Sequence, residues 1–407
     1  MRSEFPSVVE ALRARAVESA DRTAFRFLLN GEHETVRMSY AALDERARSF
    51  AVCLGQLGAA GQPVLLAVPP GLDFVAALFG CLYGGAVAVP CYPPSFRPSD
   101  RAAAHLAALA HDCGAPIGIT VEAHLPRTRQ FTQQVAGMRP PRWLAADSVP
   151  VELAGEWTPP EIGPDTLALV QYTSGSTRSP RGVKITHACL AANQRAMAEK
   201  IGRVDETVSW LPPYHDMGLM CIVHGVWSGF AITLMAPMDF LARPVRWLRA
   251  ISRYRADTSL GPNFAYEMCV DRIGDEECEG LDLSCWQRAF SSAEPVRART
   301  IERFSRKFAP FGFRREAFYP AYGLAEATLI VTAKPHGTAP RVLGCDPEQL
   351  QRGRAVTNAD ENATGLVSSG TPAGSYELAI VDPESGLQRD HGEIGEIWIA
   401  GPSVDGR

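Results

Sequence analysis

The stretch QYTSGSTRSPRGVKITH, residues Gln171 to His187, follows the apolar run LALVQYT and sets Thr173, Ser174, Ser176 and Thr177 around Gly175, with Arg178, Arg181 and Lys184 close behind. An apolar β-branched strand that empties into a small-sided, hydroxyl-rich, cationic loop is built to hold an anion. The hydroxyls and the backbone N–H groups freed by glycine surround phosphate oxygens, and the cations supply charge. The spacing is not G-x-x-x-x-G-K-[ST], because no Gly-Lys-Ser/Thr closes it. A Ser/Gly-rich surface loop is the competing reading of these residues alone. The sequence expects a helix to begin near Thr186.

Outward from this loop, apolar strand-like runs alternate with helical periodicities. Val64–Val68, Ala86–Val89, Ile117–Val121, Leu167–Tyr172 and Ala231–Met235 read as strands. Leu72–Tyr83, a segment from about Ser99 to Cys113, and one that Pro262 opens after Gly261 read as helices. Ser99 is the expected N-cap of the second helix. The rhythm predicts an α/β fold with mostly parallel, covered sheets. Two doubly wound α/β units are expected, residues 1–164 and 165–332, joined through a proline-rich connector at Pro150–Pro164. Residues 333–407, where strand–turn–strand takes over (YELAIV, then EIWIAG), read as a smaller β-rich subdomain.

Composition excludes several function classes. The chain has 407 residues, 46% of them hydrophobic, enough for a large core. A net charge of −5 with scattered basic residues gives no nucleic-acid footprint. The N-terminal segment carries Glu4 and Glu10 and reads as an amphipathic helix, not a secretory signal. Phe74–Phe96 is long enough to span a membrane, but Gly84-Gly85, Pro90 and Pro93-Pro94 divide it into helix, turn and buried strand. No membrane insertion and a cytoplasmic location are expected. Ten cysteines without a C-x-x-C pair read as small core residues.

YTSGSTRSPRGV is similar to the signature S-G-[ST]-T-x-x-P-x-G-V of the AMP-forming adenylating superfamily, and the chain most resembles a fatty acyl-AMP ligase within it. Further matches follow in family order: WLPPYHDMGL (Trp210–Leu219), GPNFAYEMC (Gly261–Cys269), FSSAEPV (Phe290–Val296) and PAYGLAEAT (Pro320–Thr328). The resemblance implies a phosphate site at Thr173, Ser174, Gly175, Ser176, Thr177, Lys184 and Thr328, with Arg181 and His215 acting in catalysis. It implies an acyl site at Asp216, Met217, Gly261, Asn263, Phe264, Ala265 and Tyr266. Adenine would lie against Ala293, Glu294, Pro295, Tyr322 and Gly323, and Glu326 would serve catalysis by holding Mg²⁺. A single carboxylate suits Mg²⁺, which keeps most of its waters and takes its other ligands from phosphate. APMDFLARPVRWL resembles a ligase stretch bordering the acyl site, and its Phe240 and Trp247 read as packing residues.

The implied reaction joins a fatty acid to ATP, giving acyl-AMP and pyrophosphate, for transfer to the phosphopantetheine arm of an acyl carrier protein. The stretch from about 340 to 370 resembles the insertion associated with that acceptor. An acyl- or aryl-CoA synthetase, or an adenylate-binding module without catalysis, are the alternatives. The resemblance also implies a ribose-binding Asp motif and a small C-terminal domain beyond Arg407, so this sequence reads as an N-terminal core.

Overall fold

The structure is a computed structural model that describes residues 5–93, 101–133, 139–173, 181–360 and 362–404. These fall into two compact units, one holding the chain up to Gln194 with Trp210–Pro237, the other Arg195–Ser209 with the residues from Met238 onward. The expected boundary at 164/165 is not where the chain divides. Strand Leu167–Thr173 pairs in parallel with Val87–Pro90 and so belongs to the sheet of the first unit.

That sheet has six strands in the order Arg142–Ala145, Ile117–Thr120, Pro63–Leu66, Val87–Pro90, Leu167–Thr173, Arg181–Thr186, all parallel except the last. Short β-branched strands buried along their whole length, as at Val87–Pro90 and Ile117–Thr120, are what covered parallel sheets require. Helix Leu72–Tyr83 is buried at nearly every position and lies under this cover. A second group in the same unit runs Ala231–Met235, Thr23–Leu29, His33–Ser39, parallel and then antiparallel. The proline-rich connector is not an open linker. Val151–Glu156 forms a 3₁₀ turn strapped to helix Tyr40–Gln56, with Ser49 Oγ donating to Val151 O at 2.9 Å and Arg48 Nη1 to Ala154 O at 2.9 Å. Helix Arg101–Cys113 lies where expected; its predicted cap, Ser99, falls outside the described residues.

In the second unit the strand order is Thr371–Pro372, Ile330–Ala333, Phe318–Gly323, Arg288–Ser291, Thr258–Gly261, Glu206–Ser209. The last four named are mutually parallel and the first two antiparallel. Its core is aromatic. Trp247, Tyr266, Trp286, Phe304 and Phe318 are fully buried with ring centroids 4.9–6.2 Å apart for the pairs in contact, mostly edge-on, as ring quadrupoles favour. Phe240 and Trp247 are packing residues, as expected, with centroids 5.5 Å apart. Past Ala333, apart from Thr371–Pro372 in that sheet, the named strands form two antiparallel pairs. Val342–Cys345 pairs with Thr364–Val367, and Glu377–Val381 with Glu396–Ala400. The 340–370 stretch is therefore built structure, including helix Pro347–Gln351, whose N-cap Asp346 accepts from the N–H groups of Glu348 and Gln349.

Candidate active site

In the first unit the two strands that flank residues 174–180 form an antiparallel pair. Leu167–Thr173 and Arg181–Thr186 pair antiparallel, with Thr173 opposite Arg181 across the opening. The expectation of a strand running straight toward a helix lacks this return strand, because the glycine and cations of RGVKIT hide its short alternation. The helix then begins at His187, capped by Thr186, whose Oγ1 accepts from Cys189 N at 3.1 Å. Ser174, Gly175, Ser176 and Thr177 lie outside the described residues. Arg181 and Lys184 are both exposed, but three residues along a strand puts them on opposite faces. Arg181 shares the loop's edge with Thr173, whereas Lys184 stands opposite Val170. The hairpin thus sets the two cations on different faces.

Gln171, buried in this strand, donates from Nε2 to Tyr214 O at 2.9 Å and so ties the hairpin to the segment that carries His215. Sequence reasoning did not single it out. A polar residue inside an apolar strand was the available signal. His215 precedes helix Asp216–Ser228 as its N-cap residue. Gly218 in the first turn is obligatory by contact, since a Cβ there would lie 2.2 Å from Pro212 O. His215 Nδ1 sits 2.6 Å from Asp216 Oδ1, which also accepts from Met217 N at 2.6 Å. The hydrogen bond to Asp216 holds the imidazole pKa above its ordinary value against the opposing effect of burial. The His215 side chain is 55% exposed, so the pair presents a protonatable ring to its surroundings. Met217, an expected acyl contact, is buried.

In the second unit Gly261 ends strand Thr258–Gly261 and Pro262 caps helix Asn263–Arg272. Of the four expected acyl residues on this helix, only Phe264 is exposed. Ala265 and Tyr266 are fully buried, and the Tyr266 hydroxyl donates to Phe290 O at 2.6 Å from within the aromatic core. Tyr266 is thus a core residue. Its phenol is satisfied by the sheet, and its surface is closed in the described residues.

The helix start and the expected adenine turn are tied reciprocally. Asn263 Oδ1 accepts from Arg297 N at 3.0 Å, and Glu294 Oε1 accepts from Phe264 N at 2.6 Å. This satisfies an N–H that the helix itself leaves free. Ala293, Glu294 and Pro295 are exposed, and Ala293 has φ +67°.

Tyr322 and Gly323 end strand Phe318–Gly323, both half-buried. Burial, then the charge of Glu326, raises the Tyr322 pKa. Glu326 is exposed between buried Ala325 and Ala327 on a 3₁₀ turn. One outward carboxylate on a short rigid turn fits a Mg²⁺ ion that takes its remaining ligands from water and phosphate. Thr328 points into the fold. It is 1% exposed and its hydroxyl donates inward to Ser403 O at 3.3 Å, so it is committed to the fold.

A family model described as AMP-binding enzyme matches residues 12–405. The chain belongs to the AMP-binding enzymes. Among curated relatives of this AMP-binding enzyme, the medium-chain-fatty-acid–(acyl-carrier-protein) ligase JamA of Moorena producens is 41% identical, covering 98% of the chain and 69% of the relative. The long-chain-fatty-acid–AMP ligase FadD32 of Mycolicibacterium smegmatis is 37% identical, over 98% and 65%. The chain thus spans about two thirds of the length of these relatives. A fatty acyl-adenylate ligase of Legionella pneumophila, solved with acyl adenylate and pyrophosphate, superposes with a TM-score of 0.91 at 38% identity, covering 98% of this chain and 69% of that one. Among the described residues of this AMP-binding enzyme, no helix is long and apolar enough to cross a membrane.

Proposed function

We propose that this chain activates a fatty acid by adenylation, as a cytoplasmic enzyme that hands the acyl group to an acyl carrier protein. The observation that carries the proposal is the likeness, along 98% of the chain, to a ligase solved with both products of that half-reaction, acyl adenylate and pyrophosphate. The transfer partner rests on the acyl-carrier-protein ligase among the relatives.

A carboxylate oxygen attacks the α-phosphorus of ATP; the bond to the bridging oxygen breaks, and pyrophosphate leaves with the electron pair. Two anions must approach, so the step needs charge neutralisation and alignment more than a covalent nucleophile. Arg181, at the hairpin mouth beside Thr173, supplies a cation with a planar fork of donors suited to phosphate oxygens. His215, kept protonatable by Asp216, offers a second donor for developing negative charge. Tyr322 presents a half-buried ring for the base, and exposed Phe264 offers apolar surface for an acyl chain. Glu326 would hold Mg²⁺, which when bound neutralises phosphate charge.

The test is pyrophosphate release from ATP with fatty acids of graded length, with acyl-AMP identified by mass and acceptor thiols added in turn. Acyl-AMP that is consumed by phosphopantetheinylated carrier and not by coenzyme A is the expected result. Release of an acyl-CoA thioester would move the chain to the CoA synthetases. Tight binding of a non-hydrolysable acyl-AMP analogue without any pyrophosphate release would make it a binding module.

A further inference from the structure

Four non-glycine residues among those described have positive φ, and two of them, Ala293 and Thr328, lie in stretches assigned above to the nucleotide. Thr328, at φ +69° and ψ −53°, is the more demanding, because a β-branched side chain at positive φ crowds its own backbone. Such a conformation persists only where its surroundings over-determine it.

Part of the restraint is local. The loop closes through Leu324 N to Leu329 O at 2.9 Å and Thr328 N to Ala325 O at 2.8 Å. The rest comes from residues far along the chain. Thr328 Oγ1 donates to Ser403 O, Ser403 Oγ donates to Ala327 O at 2.7 Å, and the Tyr376 hydroxyl bonds Ser403 Oγ. Each hydroxyl has one proton, and the three protons have three acceptors if Tyr376 donates to Ser403. All four residues are at most 4% exposed, so water does not replace a lost partner. The Tyr376 ring is held against Gly401, where a Cβ would come within 2.3 Å of Cδ1.

We propose that Tyr376 and Ser403 are positioning residues for adenylation, forming a buried hydroxyl clamp that forces the turn at Ala327–Thr328. The clamp fixes the exposed carboxylate of Glu326, one residue earlier, and the loop that begins at Tyr322. The proposal rests on the adenylation reading given above.

The test compares Ser403→Ala in the wild-type chain and in a Thr328→Gly background, which serves as its own reference. Glycine adopts positive φ without the steric cost, so the turn no longer needs forcing. In the wild-type background, Ser403→Ala should lower kcat for pyrophosphate release about tenfold, with KM for the fatty acid within about twofold. In the glycine background the same change should cost less than about threefold.

The melting temperatures of the four proteins should show the same coupling. Equal losses in both backgrounds would reduce Ser403 to packing and overturn the proposal. Should Ser403→Ala not fold, Tyr376→Phe, which keeps the ring, replaces it in the same comparison. A wild-type chain that releases no pyrophosphate and binds no acyl-AMP analogue overturns the adenylation reading and the positioning role with it. The melting-temperature coupling would then stand alone as a reading of the clamp.

Discussion

His215 and Asp216 are neighbours in sequence whose side chains meet at 2.6 Å because one caps a helix and the other opens it. The carboxylate favours the imidazolium, so Asp216→Asn should lower the His215 pKa, read from its imidazole proton shifts in an NMR titration. A titration unchanged by the substitution would dissociate the two residues. With the native pKa raised, whatever stability the pair contributes is complete below the unfolded value of 6.5 and is lost as pH rises through the higher native value. Glu326 has no comparable partner among the described residues. Exposed on its turn, it should tolerate Glu326→Gln within about 0.5 kcal/mol of stability. The same change should raise the Mg²⁺ concentration needed for half-maximal pyrophosphate release. Full activity at unchanged Mg²⁺ dependence would remove the metal role assigned to it.

At the scale of elements, helix Asn263–Arg272 separates two residues that the sequence treats alike. Phe264→Ala should leave stability within about 0.5 kcal/mol and alter the preference for acyl length, because the ring is exposed. Tyr266→Phe should do the reverse. It leaves Phe290 O without its donor inside the core, at a cost of about 1–2 kcal/mol in urea denaturation, with acyl preference unchanged. A shift in acyl preference on Tyr266→Phe would return that residue to the substrate.

The aromatic string GPNFAYEMC gives no means of telling these apart, since cores and apolar sites use the same residues and only packing decides which side each faces. Elsewhere the elements were legible. Ala231–Met235 is the strand expected residue for residue, and helix Leu72–Tyr83 and strand Val87–Pro90 replace the membrane-length apolar run. What periodicity could not show was the return strand Arg181–Thr186, masked by the glycine and cations of the motif. Nor could it show the contribution of Tyr376 and Ser403, because pairings across that many residues leave no local pattern.

At the scale of the molecule, the division into units follows strand pairing, not the proline content of 150–164, and the chain's response to acid follows from what the first unit buries. The first unit contains two buried histidines held neutral. His224 is bonded to Gln194 Oε1 at 2.9 Å and Ser228 Oγ at 3.3 Å, and burial lowers its pKa to about 3. His187 is 2% exposed, its ring nitrogens have no hydrogen-bond partner among the described residues, and burial lowers its pKa to about 4. In each case the unfolded chain binds a proton below 6.5 that the native state refuses. Stability is therefore intact above that value and falls as pH drops toward the native pKa, by about 1.4 kcal/mol per pH unit for each histidine.

His187→Leu replaces an unpartnered polar ring with apolar volume and removes one of these protons. Its unfolding free energy, from urea titrations at pH 6.5, 5.5 and 5.0, should decline less steeply than that of the wild type by close to one proton's worth. The window stays above the range where most carboxylates titrate, so a difference there belongs to the histidine. Parallel declines would mean that His187 is already protonated in the native chain, and that its burial is relieved by water or by an anion near the hairpin that precedes it.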